Sequence, residues 1–357
     1  MDFSKICYYP ILKTKDAELR AIGNLDDLSF SQILPIYELT KSRITKSDSI
    51  GDIAKRLSQI REIQQNRPFI LDVTTDPKQV NSQTESMLTP DNGYECWRIF
   101  LAAHSDLRII PAIHVDFELD ENLRETGALV RLASRVYPNL AIRIPPGLED
   151  AEYEEVFNAI TPYLGQARLH VLLDSGCIRK KFKSEGSLAG VNTLFAESIQ
   201  SICRLRNAST WMQQLVCASG SFPAIVSSEG GDESGRFEIL EHTLNQQLHQ
   251  LFPFVKLGDY ASINAQQTEM RAGTFVPRID FCTNNDFYYH RFRRDKGGYI
   301  KCATEVLRNF NYQSLGTWGD EEITAAANGN PSGISPSFWI SVRANRYMTS
   351  RVRLYAS

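Results

Sequence analysis

Short apolar runs recur along the first 260 residues and alternate with longer stretches that have helical periodicity. Runs of this length that are rich in Ile, Val and Leu and lack polar alternation are typical of strands buried on both faces of a parallel sheet. Eight strands are predicted, at residues 8–12, 33–39, 68–73, 108–115, 140–144, 169–174, 214–218 and 254–258.

Amphipathic stretches between these runs predict helices. In 48–65, for example, Ile53, Leu57 and Ile60 lie on one stripe, and Asp48 is available as a cap. The other predicted helices are 94–104, 120–137, 149–164, 191–205 and 237–251. Strands separated by helices at this interval indicate right-handed βαβ units.

Eight such units are enough to close a barrel. The alternative is an open doubly wound sheet, which usually carries a glycine-rich phosphate turn after its first strand. No glycine stands in residues 8–18, so the predicted fold is α/β, a (β/α)8 TIM-barrel-like domain over residues 1–265.

The amino-acid composition of the chain changes towards its C-terminus. Residues 278–357 hold eleven Lys and Arg against seven Asp and Glu, which leaves a net charge of +4 there and about −7 on residues 1–277. Aromatic residues are also dense in this part. We therefore expect residues 266–357 to be an appended basic, aromatic-rich extension, either separate or packed on the barrel.

The whole chain carries 39 basic and 42 acidic residues, and this net charge of −3 excludes a generally basic nucleic-acid-binding coat. No apolar window approaches the ~18 residues of a membrane span, and the first fifteen residues have no export signal. The seven cysteines are scattered without zinc spacing, which favours mostly buried free thiols. We expect a soluble cytoplasmic protein.

Polar residues stand at the predicted strand ends, where the active face of such a barrel is built. As candidate catalytic residues, Glu38, Asp72, Asp174 and Asp259 could hold a divalent cation or supply a general base. As candidate ligand-binding residues we name Lys13, His114, Arg143, Ser219 and Ser221, with Lys13 and Arg143 suited to an anionic group. The alternative is a set of salt bridges that closes the strand ends without any ligand.

His114 precedes Asp116 by two residues, hence on the same side of an extended strand. The two could form an acid/base pair, or His114 could be a structural histidine. The sequence lacks HExxH, GxSxG, a Walker A lysine motif and GxGxxG. These absences argue against a zinc protease, a triad hydrolase and the common nucleotide-binding folds.

Residues 288–296 (YYHRFRRDK) interleave aromatic and basic side chains. Arg291, Arg293 and Arg294 are the candidate partner-binding residues, because Arg and Tyr are frequent anchors in protein interfaces. The run could also form a solvated face or pack on the acidic barrel. Nucleic acid is the less favoured partner, since only this patch is basic.

Several strand-end segments resemble the Beta protein family of prophages and satellite phages. They are PILKTKDAELRAI at 10–22, PIYEL at 35–39, Asp72, IRIPP at 142–146, VLLDSG at 171–176, SGSFP at 219–223 and LGDYA at 257–261. The resemblance implies a role in anti-phage defence, in which the protein acts like an antitoxin against a toxic, Gop-like protein partner. It carries no catalytic residues over to this chain.

Two hypotheses stay open at the sequence level. One is an interaction protein that antagonises a toxic partner through its barrel scaffold. The other is a metal- or acid/base-dependent barrel enzyme, or a sensor, that acts on an anionic nucleotide or phosphoester. The sequence settles neither the ligand nor the oligomeric state.

Overall fold

The computed structural model of the chain describes residues 2–266 and 275–356. The strands in these residues are β1 (Tyr8–Lys13), β2 (Ile36–Leu39), β3 (Phe69–Val73), β4 (Ile109–Ile113), β5 (Asn139–Ile144), β6 (Arg168–Cys177), β7 (Met212–Gly220), β8 (Ser234–Glu238), β9 (Lys256–Asp259), β10 (Arg278–Cys282) and β11 (Asp286–Arg291). β1 to β7 and β9 form a closed parallel barrel in sequence order, in which β9 pairs with β1. Each predicted strand has a counterpart, and the predicted TIM-barrel-like fold is confirmed.

Alternate residues of the barrel strands face the interior or the surrounding helices. Ile11, Ile36, Ile70 and Ile110 are paired in register across β1 to β4 and belong to one buried cluster, which fills the interior. The strand residues that alternate with them, such as Tyr8 and Leu12 on β1, belong to a larger cluster on the helix side. This alternation decides which strand-end side chains meet at the barrel mouth, by which we mean the end of the barrel where the strands have their C-termini.

The helices of the described residues are α1 (Asp16–Gly23), α2 (Asp27–Ser31), α3 (Ala54–Gln64), α4 (Ser82–Leu88), α5 (Asp91–Ala103), α6 (Arg124–Ala133), α7 (Asp150–Ile160), α8 (Arg179–Glu185), α9 (Ala189–Arg204), α10 (Ala208–Trp211), α11 (Leu240–Leu251), α12 (Gly298–Arg308), α13 (Trp318–Ala327) and α14 (Pro336–Tyr355). The six predicted helices correspond to α3, α5, α6, α7, α9 and α11. α3 begins later than predicted because the Asp48 carboxylate accepts bonds from the N–H groups of Gly51 and Asp52 in a preceding turn.

A three-stranded antiparallel sheet, in the order β10-β11-β8, lies outside the barrel. Sequence reasoning did not predict it. The basic and aromatic run at 288–296 divides between the end of β11 and a 3-10 turn at Arg294–Lys296. Phe287 and Tyr289 are buried on one face of β11, so buried and more exposed residues alternate along this strand. The run contains too many polar residues to be recognised as a strand from its hydrophobicity.

α14 is the helix of the C-terminal region with the most extensive burial. Every residue from Ser341 to Val352 is buried, including three arginines and an asparagine. The side chain of Asn345 donates to the backbone oxygens of Ala21 and Asn24 beside the barrel. The proposed division between 1–265 and 266–357 stays a prediction, although β8 of the first part pairs with β11 of the second.

The cysteines are all free thiols. Cys217, Cys282 and Cys302 are buried, whereas Cys96 and Cys203 are exposed, so the expectation of mostly buried thiols holds for only part of the set. Within residues 2–266 and 275–356, no helix combines the length and the apolar character that crossing a bilayer requires.

Candidate functional site

The barrel mouth brings four of the predicted residues together. Glu38 and Asp72 are register partners on β2 and β3, each two positions after an interior isoleucine. Arg143 and Asp174 stand two positions after the interior residues Ala141 and Leu172. Because side chains alternate along a strand, all four point into the mouth.

The guanidinium of Arg143 is the centre of this cluster. Its Nη1 lies 2.7 Å from Glu38 Oε1 and 3.1 Å from Asp72 Oδ2, and its Nε donates to Asp174 Oδ2 at 2.8 Å. The hydroxyl of Tyr260 accepts from Nη2 at 3.0 Å and donates to Asp174 at 2.5 Å. The cluster is therefore one continuous network.

One cation among three carboxylates leaves an excess of negative charge at the mouth. Burial raises the pKa of Asp72, against the opposing effect of Arg143. Burial alone would lower the pKa of Arg143, but Glu38 and its other neighbours raise it well above the usual range. Glu38 Oε2 is buried and has no hydrogen-bond partner among the residues that the structure describes, so this oxygen can accept a bond.

Arg143 is thus already engaged by carboxylates, and its predicted role in holding an anion stays a prediction. Its guanidinium also occupies the space between the carboxylates that a divalent cation would take. Among residues 2–266 and 275–356, no group of three or more His, Cys, Asp or Glu side chains is arranged to hold a metal ion.

A cavity of about 320 Å³ opens above the network and is also lined by His114 and Tyr94. The His114 ring lies against the Tyr94 and Trp97 rings, and its Nδ1 is 4.0 Å from Asp72. Burial lowers the pKa of His114 to about 4, so the imidazole is neutral at pH 7. Its Nε2 is buried and has no hydrogen-bond partner within residues 2–266 and 275–356.

The predicted alternative of a His114–Asp116 pair is not formed. The Asp116 carboxylate instead accepts bonds from the backbone N–H groups of Glu118 and Leu119, at 2.9 Å each. The loop after β4 turns at this point and redirects the side chain, so the extended alternation that pairs residues two apart no longer applies.

Lys13 points towards the mouth from the end of β1 but does not join the carboxylate network. Its Nζ donates to the backbone oxygen of Ala265 at 3.1 Å and lies 3.9 Å from Asp76. The side chain lines a second, larger cleft of about 950 Å³ beside the mouth.

Asp259 does not share the mouth, which corrects the expectation from the sequence. A side chain at the preceding Gly258 would contact the interior residues Val216 and Ala218, so Asp259 points out of the barrel. Its carboxylate accepts bonds from the hydroxyls of Tyr8 and of Tyr347 on α14. Asp259 therefore joins the barrel to the C-terminal helix.

The two candidate serines also lie away from the mouth. Ser219 is the register partner of Asp259, and its buried hydroxyl has no partner among the described residues. Ser221 donates to the Glu241 carboxylate and accepts from the N–H of Leu240, so it anchors the start of α11. A part for either residue in ligand binding stays a prediction.

The candidate partner-binding arginines are near the surface of the C-terminal region. Arg291 ends β11, and its guanidinium pairs with Asp232. Arg293 and Arg294 follow in the turn before α12 and are exposed. Of the three candidate arginines, only Arg293 and Arg294 present their guanidinium groups outward without a salt bridge among the described residues.

The sequence did not identify Tyr260 or Glu241 as a candidate site residue. Tyr260 stands one position after Asp259, and the alternation that turns Asp259 outward directs Tyr260 to Arg143. The sequence signal for Tyr260 was its place in the LGDYA segment. Glu241 had no signal beyond its position in the first turn of a predicted helix.

Comparison with known proteins gives two matches. The family model described as Beta protein matches residues 8–353. The chain is 28% identical to Protein beta of Enterobacteria phage P4 over 358 residues, and the match covers 99% of this chain and 94% of that protein. No solved structure matches the chain.

Proposed function

The chain belongs to the Beta protein family, and we propose that it antagonises a toxic, Gop-like partner in anti-phage defence by binding it through the C-terminal region. The observation that carries this proposal is the family match over residues 8–353, which spans both the barrel and the C-terminal helices. The role itself is the one that the resemblance implies.

The surface around α12 supports the choice of contact region. Its buried face holds residues such as Cys302 and Val306, yet Ile300 and Leu307 on the opposite face are 43% and 40% exposed. Phe310, just beyond the helix, is 97% exposed. A fully exposed phenylalanine next to exposed apolar residues is characteristic of an interaction surface.

Positive charge borders this apolar face. Arg293 and Arg294 precede α12, and Lys301 and Arg308 are exposed on it. Complementary charge across an interface speeds association and selects the partner. We therefore expect the partner to present an acidic surface that surrounds an apolar contact.

The test is a charge reversal, Arg293→Glu with Arg294→Glu, in cells that express the toxic partner. We expect partner pull-down to fall by about tenfold or more and survival of the cells to fall with it. Arg291 is left unchanged because it pairs with Asp232, so its reversal would disturb β11.

The matched control is Arg131→Glu with Arg135→Glu, which makes the same charge change on exposed residues in the last turn of α6 and just after it. Thermal melts of both variants monitor folding. Unchanged pull-down and survival with the Arg293 and Arg294 variant, or equal loss with the control, would contradict the proposal.

A second candidate function is a ligand-sensing or acid/base site at the barrel mouth. The observation that favours it is a pair of buried atoms, Glu38 Oε2 and His114 Nε2, that lie beside the cavity of about 320 Å³ and have no hydrogen-bond partner in the described part of the chain. Such atoms are costly unless a ligand or water satisfies them. The charge balance there favours a neutral or cationic ligand over an anionic one.

Single substitutions Glu38→Gln and Asp174→Asn distinguish the two functions because they keep the shape of each side chain. If partner binding and fold persist while protection of the cells is lost, the mouth takes part in the function. If protection persists in both variants, the mouth is dispensable and the α12 surface alone accounts for antagonism.

A further inference from the structure

A large basic cleft lies beside the barrel mouth, between the barrel loops and the C-terminal region. Its volume is about 950 Å³, within the usual range of small-molecule sites. The cations that face it include Lys13, Lys41, Arg43, Lys78, Arg278 and Arg343. They come from β1, the loops after β2 and β3, β10 and α14, so only the folded chain brings them together.

The positive charge of the cleft is only partly neutralised. Eight Lys and Arg side chains line it against two acids, Asp16 and Glu18. Arg278 and Arg343 share the single carboxylate of Asp280, at 2.9 Å and 2.7 Å. Burial raises the pKa of Glu18, which weakens its contribution of negative charge.

One of the cations, Arg343, is held inside the protein. Arg343 is 3% exposed, and its guanidinium stacks on the Phe222 ring at 3.8 Å. Burial, with the neighbouring Arg278 adding to it, lowers the pKa of Arg343 to about 10 despite Asp280. Because Asp280 is shared between Arg343 and Arg278, an anion in the cleft would add compensation for the buried charge of Arg343.

Lys41 and Arg43 lie on the outer part of the cleft. Within residues 2–266 and 275–356, neither of them forms a salt bridge with an acid, and Arg43 is exposed. Among the described residues, neither would lose an ion pair on binding a ligand.

Apolar side chains line the same cleft beside the cations. Pro223, Ile263 and Ile340 are among them. A surface for phosphate alone would need only the cations, whereas the apolar part can pack against a planar base. We propose that this cleft binds a nucleoside polyphosphate, with the phosphates against Lys41, Arg43 and the buried Arg343 and the base against the apolar side chains.

The cleft is distinct from both surfaces considered above. It shares Lys13 with the strand ends of the mouth, but its remaining cations are not part of the Arg143 network. It is also separate from Arg293 and Arg294. The proposal does not depend on a toxic partner and can fail or hold independently of it.

The experiment is calorimetric titration of the purified full chain with ATP, GTP, sodium tripolyphosphate and a twelve-residue oligothymidylate. We expect saturable binding of a nucleoside triphosphate that weakens with added salt and is tighter than binding of tripolyphosphate. In the variant Lys41→Gln with Arg43→Gln, we expect about tenfold weaker binding for each cation removed.

The variant Arg131→Gln with Arg135→Gln makes the same change in net charge on exposed residues outside the cleft and is expected to bind as the unmodified chain does. Thermal melts establish that both variants are folded. Absence of saturable binding by ATP and GTP overturns the proposal, and so does an equal loss in the two variants, which would indicate a general charge effect. Tighter binding of the oligonucleotide than of either triphosphate also overturns it, in favour of a nucleic-acid groove.

Discussion

The carboxyl groups of Glu241 and Asp259 are buried together where the barrel meets α11 and α14. The Tyr347 hydroxyl connects them, since it lies 2.8 Å from Asp259 Oδ2 and 3.3 Å from Glu241 Oε1. Among the described residues, neither carboxylate forms a salt bridge. Burial, and then repulsion from Asp259, raises the pKa of Glu241 to about 7.

This pKa makes the stability of the fold depend on pH in a defined direction. The ordinary pKa of Glu is about 4.5, so between pH ~4.5 and ~7 the folded chain keeps a proton that the unfolded chain has lost. The resulting stabilisation is fully present below about pH 4.5 and is lost as the pH rises through about 7.

We expect the substitution Glu241→Gln, which keeps the side chain neutral, to stabilise the protein at pH 8 relative to the unmodified chain. The advantage in Tm should shrink as the pH is lowered to 5, because the native glutamate is then protonated. Melts from pH 5 to 8.5 check this, with Glu154→Gln on the exposed face of α7 as the control. An advantage that stays constant with pH would contradict the assignment.

At the scale of elements, the barrel could be predicted because its strands are buried on both faces and appear as unbroken apolar runs. The convergence of Glu38, Asp72, Arg143 and Asp174 could be predicted from these strands. Each of the four lies near the C-terminal end of its strand, and its side chain faces the barrel interior. Asp259 could not be placed in the same way. A shift of one residue along a strand moves a side chain from the interior face to the helix face. Which residues of β9 face the interior is set by the pairing of β9 with β1 when the barrel closes.

The C-terminal elements were harder to predict for a different reason. α14 carries polar residues on faces that are buried, and these are satisfied by tertiary partners: Arg346 pairs with Asp320, and Arg351 donates to backbone oxygens. Burial of this kind removes the apolar stripe by which an amphipathic helix is recognised. The sequence pattern of residues 339–353 therefore does not distinguish a helix from a strand, and the structure has a helix there.

Asn345 provides a test of how α14 is held. Its amide donates to Ala21 and Asn24 at 3.0 and 2.9 Å and accepts from the N–H of Gly319 at 3.1 Å, so it joins α1, α13 and α14. We expect Asn345→Ala to lower the free energy of unfolding by about 3 kcal/mol, since two buried backbone groups and one partly buried group lose their partner.

Urea unfolding followed by circular dichroism measures this loss. Asn192→Ala is the control, because Asn192 makes one exposed bond with Gln247 and its removal should change stability by less than about 0.5 kcal/mol. A similar small change for Asn345→Ala would mean that α14 contributes little to the fold through these bonds.

At the scale of the whole molecule, the barrel and the C-terminal region share buried polar contacts. Tyr347 on α14 donates to Asp259 on β9, and Arg343 donates to Ser262 after β9. β8 supplies an edge strand to the sheet that β10 and β11 form. Separation of the two parts would leave these polar groups without partners, so we expect them to unfold together.

The four tryptophans allow that expectation to be tested, because Trp97 and Trp211 lie in the barrel and Trp318 and Trp339 in the C-terminal region. The variant Trp97→Phe with Trp211→Phe confines fluorescence to the C-terminal region, and Trp318→Phe with Trp339→Phe confines it to the barrel. We expect each variant's fluorescence midpoint in urea to coincide with its own circular dichroism midpoint, as two-state unfolding requires. Separate midpoints would instead identify 1–265 and 266–357 as independently folding domains, and partner binding by the C-terminal region alone could then be measured directly.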